Sequence, residues 1–377
     1  MRARYDVVVL GAGPAGLATA ITISRETRAS VLVADAGPAQ RERFGESVTA
    51  DLLVPLQRLG LLEEFQAGAH APCPGSASIW GSNRVGYNDY ILSPVGPAWR
   101  LQRRAFDEML ARAATEAGAE LCWRVRYLQS LPGRKSHRLL LRTPEGKSQV
   151  LGDWIVDATG PAARFALNAG ARRIVDDRMY GLARYATFRA GSMTMQTLLE
   201  ADEDGWWYAA RLPDDRVVVL FVSEGETFRR LKTNGHQGFE RSLGATKLIG
   251  PILAKLTLER KKYFATPVYS SRLDRAEGKG WLAVGDAAAS YDPIVSRGIT
   301  KALEDGIAAG RCIAESGNRA GSNSTGAYGE HIAARFRAYA EARARLYEME
   351  RRDGPFWQNR RERSREMVAR AARLEEV

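Results

Sequence analysis

Apolar positions fall in a clear order at the start of the chain. Tyr5-Asp6-Val7-Val8-Val9-Leu10 is a β-branched run that predicts a buried strand, and Gly11-Ala12-Gly13-Pro14-Ala15-Gly16 breaks it. A helical stretch then runs to about Thr27, and Val31-Leu32-Val33-Ala34 predicts a second strand ending on Asp35. The uncharged segment 7–24 has the outward look of a signal peptide or membrane span, but its glycines and Pro14 divide it into strand, turn and helix. Leu52, Leu53, Leu56 and Leu59 give one apolar helix face over 50–59, and Phe106, Met109, Leu110 and Ala113 give another within 100–118. Residues 70–97, rich in proline and glycine, predict loop or weakly extended chain. Trp154-Ile155-Val156-Asp157-Ala158-Thr159-Gly160 predicts a strand running into a turn. Strands are also expected at 182–188, 206–212 and 217–222, with helical spacing over 226–258. Residues 281–284 predict a strand that ends at Gly285-Asp286, and a helix opens at Gly298-Ile299. Beyond a Gly/Ser/Asn-rich segment near 317–326 lies a charged helical tail.

The strand–glycine turn–helix–strand order at the N-terminus is the arrangement that binds a dinucleotide. Gly11 permits the tight turn, Gly13 lets the backbone approach a pyrophosphate, and Gly16 lets helix pack on strand. Pro14 and Ala15 open the helix, whose N–H groups and dipole face the phosphates. Asp35, followed by Ala36, stands where a ribose hydroxyl is accepted, which disfavours the 2′-phosphate of NADP and leaves NAD or FAD.

Composition narrows the class of protein further. Hydrophobic content of 45% and charged content of 26% are those of a folded globular chain. The three cysteines, Cys73, Cys122 and Cys312, have neither disulfide nor zinc spacing, which points to a reducing compartment and a cytoplasmic protein. A net charge of +11 admits nucleic acid, an acidic membrane or an acidic partner. Residues 331–377 hold 12 arginines against eight acids, interspersed as on solvated helix faces. No nucleic-acid motif accompanies them, so nucleic-acid binding is not expected, and no uncharged run predicts a membrane span.

The Gly11–Gly16 turn, Arg43-Phe44-Gly45-Glu46-Ser47, Arg103-Arg104-Ala105-Phe106-Asp107, Asp157-Ala158-Thr159-Gly160 and Gly285-Asp286…Asp292-Pro293…Gly298 occur in one order over about residues 5–310. Together they resemble the FAD superfamily of p-hydroxybenzoate hydroxylase type, which includes the tryptophan halogenases and the geranylgeranyl reductases. The resemblance implies an α/β fold: a three-layer, Rossmann-like FAD domain (1–69, 98–180 and 268–316) with an inserted mixed β-sheet substrate domain (70–97 and 181–267) and a helical C-terminal segment (317–377). It implies FAD contacts from Gly11, Gly13, Pro14, Ala15, Gly16, Asp35, Ala36, Arg43, Glu46, Ser47, Arg103, Asp157, Gly160, Gly285, Asp286, Gly298 and Ile299. Physical reasoning agrees for two of these regions. Asp286 offers a short acceptor to ribityl hydroxyls, and the helix from Gly298 aims its dipole at the edge of the flavin that becomes negative on reduction. Arg103 reads equally as a solvated helix charge, and Asp157 as a turn cap.

Hydroxylases and halogenases of this superfamily capture O2 as a flavin C4a-hydroperoxide, and halogenases then use a lysine downstream of the glycine turn. The first lysine here is Lys135, and Pro74-Gly75-Ser76-Ala77-Ser78-Ile79-Trp80 has none. The paired-tryptophan motif is altered to Gly205-Trp206-Trp207-Tyr208, so halogenation is disfavoured. The expectation is an FAD-dependent monooxygenase acting on an indole or phenol, with O2 as co-substrate and NAD(P)H as reductant, directly or through a reductase. Pro293, Arg297 and Gly298 form the expected wall beside the flavin, and Trp80, Tyr90, Trp206 and Tyr208 the substrate contacts. Trp206 and Trp207, being adjacent on a strand, face opposite sides. His70, His137, His236 and His331 have no motif around them, and no general base stands out. Tyr339, Tyr347 and Pro355-Phe356-Trp357-Gln358-Asn359-Arg360-Arg361 are similar to the tail of flavoproteins that mature tryptophylquinone cofactors. That likeness implies an acidic, Trp-containing polypeptide as an alternative to a small aromatic molecule, with the +11 surface as its dock. Rival readings are a flavin-dependent reductase of lipid double bonds and an inert FAD-fold binding module.

Overall fold

The computed structural model describes residues 1–39, 45–90, 93–131, 136–233, 235–317 and 326–373. The opening strand, Arg4–Leu10, lies inside an eight-stranded sheet, parallel to Val31–Asp35 on one side and to Gly146–Asp157 on the other. Glu120–Trp123 and Trp281–Ala283 extend the parallel part. Arg126–Leu131 and His137–Thr143 add an antiparallel branch on the long strand Gly146–Asp157. Strands covered on both faces read as unbroken apolar runs, which is why Val7–Leu10 and Val31–Ala34 carry no alternation.

The helix Pro14–Glu26 packs between Arg103–Glu116 and Gly298–Glu315. The second contact is close because Gly306 and Gly310 face it. A Cβ on Gly306 would lie 2.3 Å from the Ala15 carbonyl oxygen, and one on Gly310 would lie 2.6 Å from Thr22 Cβ. Chain segments almost three hundred residues apart are thereby packed against each other.

A seven-stranded sheet runs in the order Thr257–Pro267, Tyr180–Ala190, Arg216–Ser223, Gly205–Arg211, Thr197–Asp202, Gly75–Ile79, Gly86–Asp89. The segment expected as loop or weakly extended chain thus supplies two of its strands. Gly75–Ile79 is held by parallel pairing with Thr197–Asp202, a distant partner that no local pattern announces. The helical spacing over 226–258 becomes the helices Gly225–Thr233, Gly235–Gly244 and Ile249–Leu253 before the edge strand begins at Thr257. These helices cover one face of the sheet, where Trp207 packs on Phe221 and Phe239. Trp206 lies on the opposite face.

The helices Ala327–Met349 and Pro355–Ala372 pack on each other and against the rest of the molecule. Tyr347, Phe356 and Trp357 join Met179, Ala201 and Trp206, and Phe336, Tyr339 and Met367 join Ala289. The expectation of solvated charges along this tail is corrected at two positions: Arg343 and Arg360 are 0% and 1% exposed and are paired with buried acids. No helix among the described residues is long and apolar enough to cross a membrane.

Gly306→Val should force the two helices apart and destabilise the protein by about 1–3 kcal/mol, the range for overpacking a close contact. Chemical denaturation is the check, and an unchanged midpoint would contradict the close-packing account.

Candidate functional site

A cavity of about 640 Å³ is lined by residues of both sheets, within the size range of ligand clefts. At one end stand Gly11, Gly13, Pro14, Ala15, Asp35 and Ala36, at the carboxyl ends of the first two strands. The turn at Gly11 has φ +117°, and a Cβ there would lie 2.2 Å from the Ala158 carbonyl oxygen. Asp35 orients this turn: its carboxylate accepts from Ala12 N at 2.8 Å and from Gly37 N at 2.7 Å. The N-cap of Pro14–Glu26 is Gly13, which carries no capping side chain, so the helix dipole meets the cavity uncovered.

The middle of the cavity is built by the turn after Trp281–Ala283. Gly285 has φ +59°, and Lys301 Nζ donates to its carbonyl at 2.9 Å while pairing with the buried Asp305 at 2.7 Å. Arg173 holds the same turn through the Asp286 and Ala287 carbonyls. The Asp286 carboxylate faces the cavity with no hydrogen-bond partner among the described residues. Burial pushes its pKa up, against the pull of Lys301. The helix Gly298–Glu315 also starts at the cavity with no side-chain cap, and Gly298 leaves open space where a Cβ would be. An uncapped helix start at each end and an unpartnered acceptor between them suit the phosphates, the ribityl chain and the reducible ring edge of FAD.

The loop from Asp292 to Gly298 walls this region, and the C-terminal helices hold it. Asp292 Oδ2 accepts from Arg343 Nε at 3.0 Å and from Tyr347 OH at 2.8 Å, and its backbone N donates to Tyr339 OH at 2.7 Å. Residues 339, 343 and 347 recur every four positions and so share one helix face. Arg343 also donates to Asp177, which receives Arg360 as well. Tyr347 OH accepts in turn from Trp206 Nε1 at 3.1 Å, and Trp206 lines the cavity.

The far wall is mostly apolar, with Ala183, Trp206, Val218, Leu220 and Val268. Two polar pairs interrupt it. Tyr185 OH donates to Glu46 Oε1, and Glu46 also accepts from Gly45 N at 3.2 Å. Burial lifts the Glu46 carboxyl above the ordinary glutamate range, opposed by the Tyr185 hydrogen bond and by Arg103. Burial, reinforced by Glu46, likewise keeps the Tyr185 phenol protonated. Ser47 and Tyr208 make the second pair, with Arg100 behind them. Sequence reasoning missed Tyr185 as a cavity residue, although its alternation with Ala183 on a strand was the available signal.

Most of the residues singled out from sequence meet at this cavity, but several do not. Gly11, Gly13, Pro14, Ala15, Asp35, Ala36, Glu46, Ser47, Arg103, Gly160, Gly285, Asp286, Pro293, Gly298, Ile299, Trp206 and Tyr208 line it. Arg103 is buried and bonded to the Gly45 carbonyl at 3.1 Å and to Asp107, rather than solvated. Gly16 lies under the turn, where a Cβ would strike the Gly11 carbonyl oxygen. Asp157 is fully buried and caps its own turn, accepting from Thr159 and Ala166, so it does not face the cavity. Arg297 is exposed and pairs with Asp51. Trp80 packs on Tyr347 and Trp357 and donates to the Leu346 carbonyl, because the tail covers it. Tyr90 closes the hairpin through the Pro74 carbonyl. Arg43 and Lys135 lie outside the described residues.

Two substitutions test this construction. Arg343→Met leaves Asp177 and Asp292 without their shared cation, and thermal unfolding should show a loss of about 3–5 kcal/mol with reduced flavin retention. Unchanged stability and flavin content would contradict the anchoring role. Glu46→Gln removes a carboxyl whose pKa is raised by burial. Stability from the protonated carboxyl is present below 4.5 and is lost as pH rises through its raised value, whereas the amide is unaffected. The melting-temperature gap, variant minus wild type, should widen as pH rises from 4.5 toward neutrality. A gap independent of pH would refute the buried-acid assignment.

The chain matches the FAD binding domain family over residues 4–342. It is 27% identical over 360 residues, spanning 94% of this chain and 96% of the relative, to LodB of Marinomonas mediterranea, which is named as an FAD-dependent oxidoreductase. Its fold superposes on the myxobacterial chondrochloren halogenase CndH with a TM-score of 0.83 at 22% identity, covering 98% of this chain and 90% of the other. The peptidyl tryptophan dihydroxylase QhpG gives a TM-score of 0.76 at 23% identity, covering 95% and 79%. With this match over most of the chain, and a fold shared with those flavoenzymes, the chain belongs to the FAD binding domain family.

Proposed function

We propose that the protein is an FAD-dependent monooxygenase that hydroxylates an aromatic ring of phenol or indole type. The observation that carries this reading is the cationic lining of the cavity: Arg103, Arg126 and Arg164 line it, and no lysine does among the described residues. Halogenases of the superfamily rely on a lysine to carry the halogen. Lys301, the lysine beneath the Gly285 turn, is 1% exposed and committed to Asp305. Bound FAD, reduced by NAD(P)H directly or through a reductase, supplies the electrons that activate O2.

The chain's own residues do the rest. The uncapped helix start at Gly298 would stabilise negative charge on a bound flavin, and Asp286 would hold its hydroxyls. Trp206, Val218, Leu220 and Val268 exclude water and orient the ring. The proton released when the ring is oxidised passes along the Tyr185–Glu46 hydrogen bond to Glu46 Oε1. These polar pairs also argue against a reductase of long lipid chains, which needs an unbroken apolar tunnel. An aromatic side chain on an acidic polypeptide is the second form of substrate, favoured by the exposed Arg229, Arg241, Lys247, Lys255 and Lys262 within 229–262.

The flavin-loaded protein, given reduced nicotinamide and a panel of phenols and indoles in bromide-containing buffer, should take up oxygen in step with a product one oxygen atom heavier. A brominated product, or one gaining two hydrogens without oxygen uptake, would overturn the reading.

A further inference from the structure

Arg100 is 1% exposed, and among the described residues no carboxylate lies within ion-pair distance of it. A buried cation without a counter-ion is costly unless something balances it. Its Nη2 donates to Thr197 Oγ1 at 2.7 Å and to the Met195 carbonyl at 3.4 Å, and its Nε has no partner. Its Nη1 donates to both Ser47 Oγ and Tyr208 OH, the hydroxyl pair that lines the cavity.

Counting hydrogens fixes what this pair presents. Both oxygens accept from Arg100, and Ser47 and Tyr208 also bond each other, which uses one of their two O–H groups. The second O–H has no acceptor among the described residues and is free for a cavity guest. Burial pushes the Tyr208 phenol up, against the pull of Arg100, so it stays a donor. The neighbouring acid, Glu46, is engaged by Tyr185 and Gly45.

We infer that the cavity takes its aromatic substrate as an aryl oxyanion, a carboxylate or a phenolate, hydrogen-bonded to the Ser47–Tyr208 pair and charge-balanced by Arg100. The inference rests on the aromatic reading of the cavity given above and specifies the substrate class for it. Arg100 acts through the two hydroxyls and is a positioning residue.

The test is binding to the flavin-loaded protein, read from the flavin spectrum at mildly alkaline pH, with 4-nitrobenzoate, 4-nitrophenol and the neutral 4-nitroanisole as probes. At least one anion should bind about tenfold or more tightly than 4-nitroanisole, as expected of a charge-assisted hydrogen bond. The tighter of the two anions identifies carboxylate or phenolate as the group recognised. Tyr208→Phe should reduce the preference severalfold and Arg100→Met should abolish it, with flavin still bound and 4-nitroanisole affinity falling less than that of the anions. A purely structural role for Arg100 would instead lower the affinity of all three probes together. Equal affinities in the wild-type protein, no binding of either anion, or a preference surviving in both variants overturns the inference. None of these readings involves turnover, so failure of the hydroxylation reading shows separately, as a different product.

Discussion

The ion pair between Asp292 and Arg343 is the interaction on which the rest of the site depends. Both groups are fully buried, and taking two charges out of water costs several kcal/mol that only good geometry recovers. That geometry is supplied by Tyr339 and Tyr347 on the same helix face, by Asp177, and by Arg360 from the following helix. The consequence is positional. The cavity loop from Asp292 to Gly298 is fixed from behind by the last two helices, and Trp206 of the far wall is tied to Tyr347 as well. The 292–298 loop, the apolar far wall and the tail therefore form one hydrogen-bonded unit.

Much of the cofactor side was legible in the sequence, because local rules govern it. A strand buried on both faces, a glycine turn and an uncapped helix start leave marks within a few residues of each other, as at 5–16 and 281–299. The substrate side was less legible because its determinants are distant. Gly75–Ile79 is a strand only by virtue of Thr197–Asp202. Charges were the hardest to place. Arg343 and Arg360 sit among exposed arginines and acids, and nothing within several residues distinguishes them from solvated neighbours. Arg297 carried the opposite error: its place beside the flavin loop suggested chemistry, but its side chain turns to Asp51. Trp80 was singled out as a substrate contact and is instead covered by the tail.

The cavity combines an apolar wall with two polar stations of different character. At one, the buried Glu46 is lifted toward its neutral form and holds Tyr185; at the other, two hydroxyls are polarised by Arg100, a buried cation with no carboxylate partner among the described residues. In a site of low dielectric such groups act more strongly than they would in water. One suits a proton leaving a ring, and the other suits a negative oxygen on it. Neither resembles the lysine chemistry of halogen transfer, although halogenases share the fold.

Oxygen transfer to the ring leaves an isotopic record in the product. Turnover under isotopically heavy O2 with excess bromide should give a product carrying one heavy oxygen atom and no bromine. A product whose added oxygen comes from water, or one that carries bromine, would contradict the account.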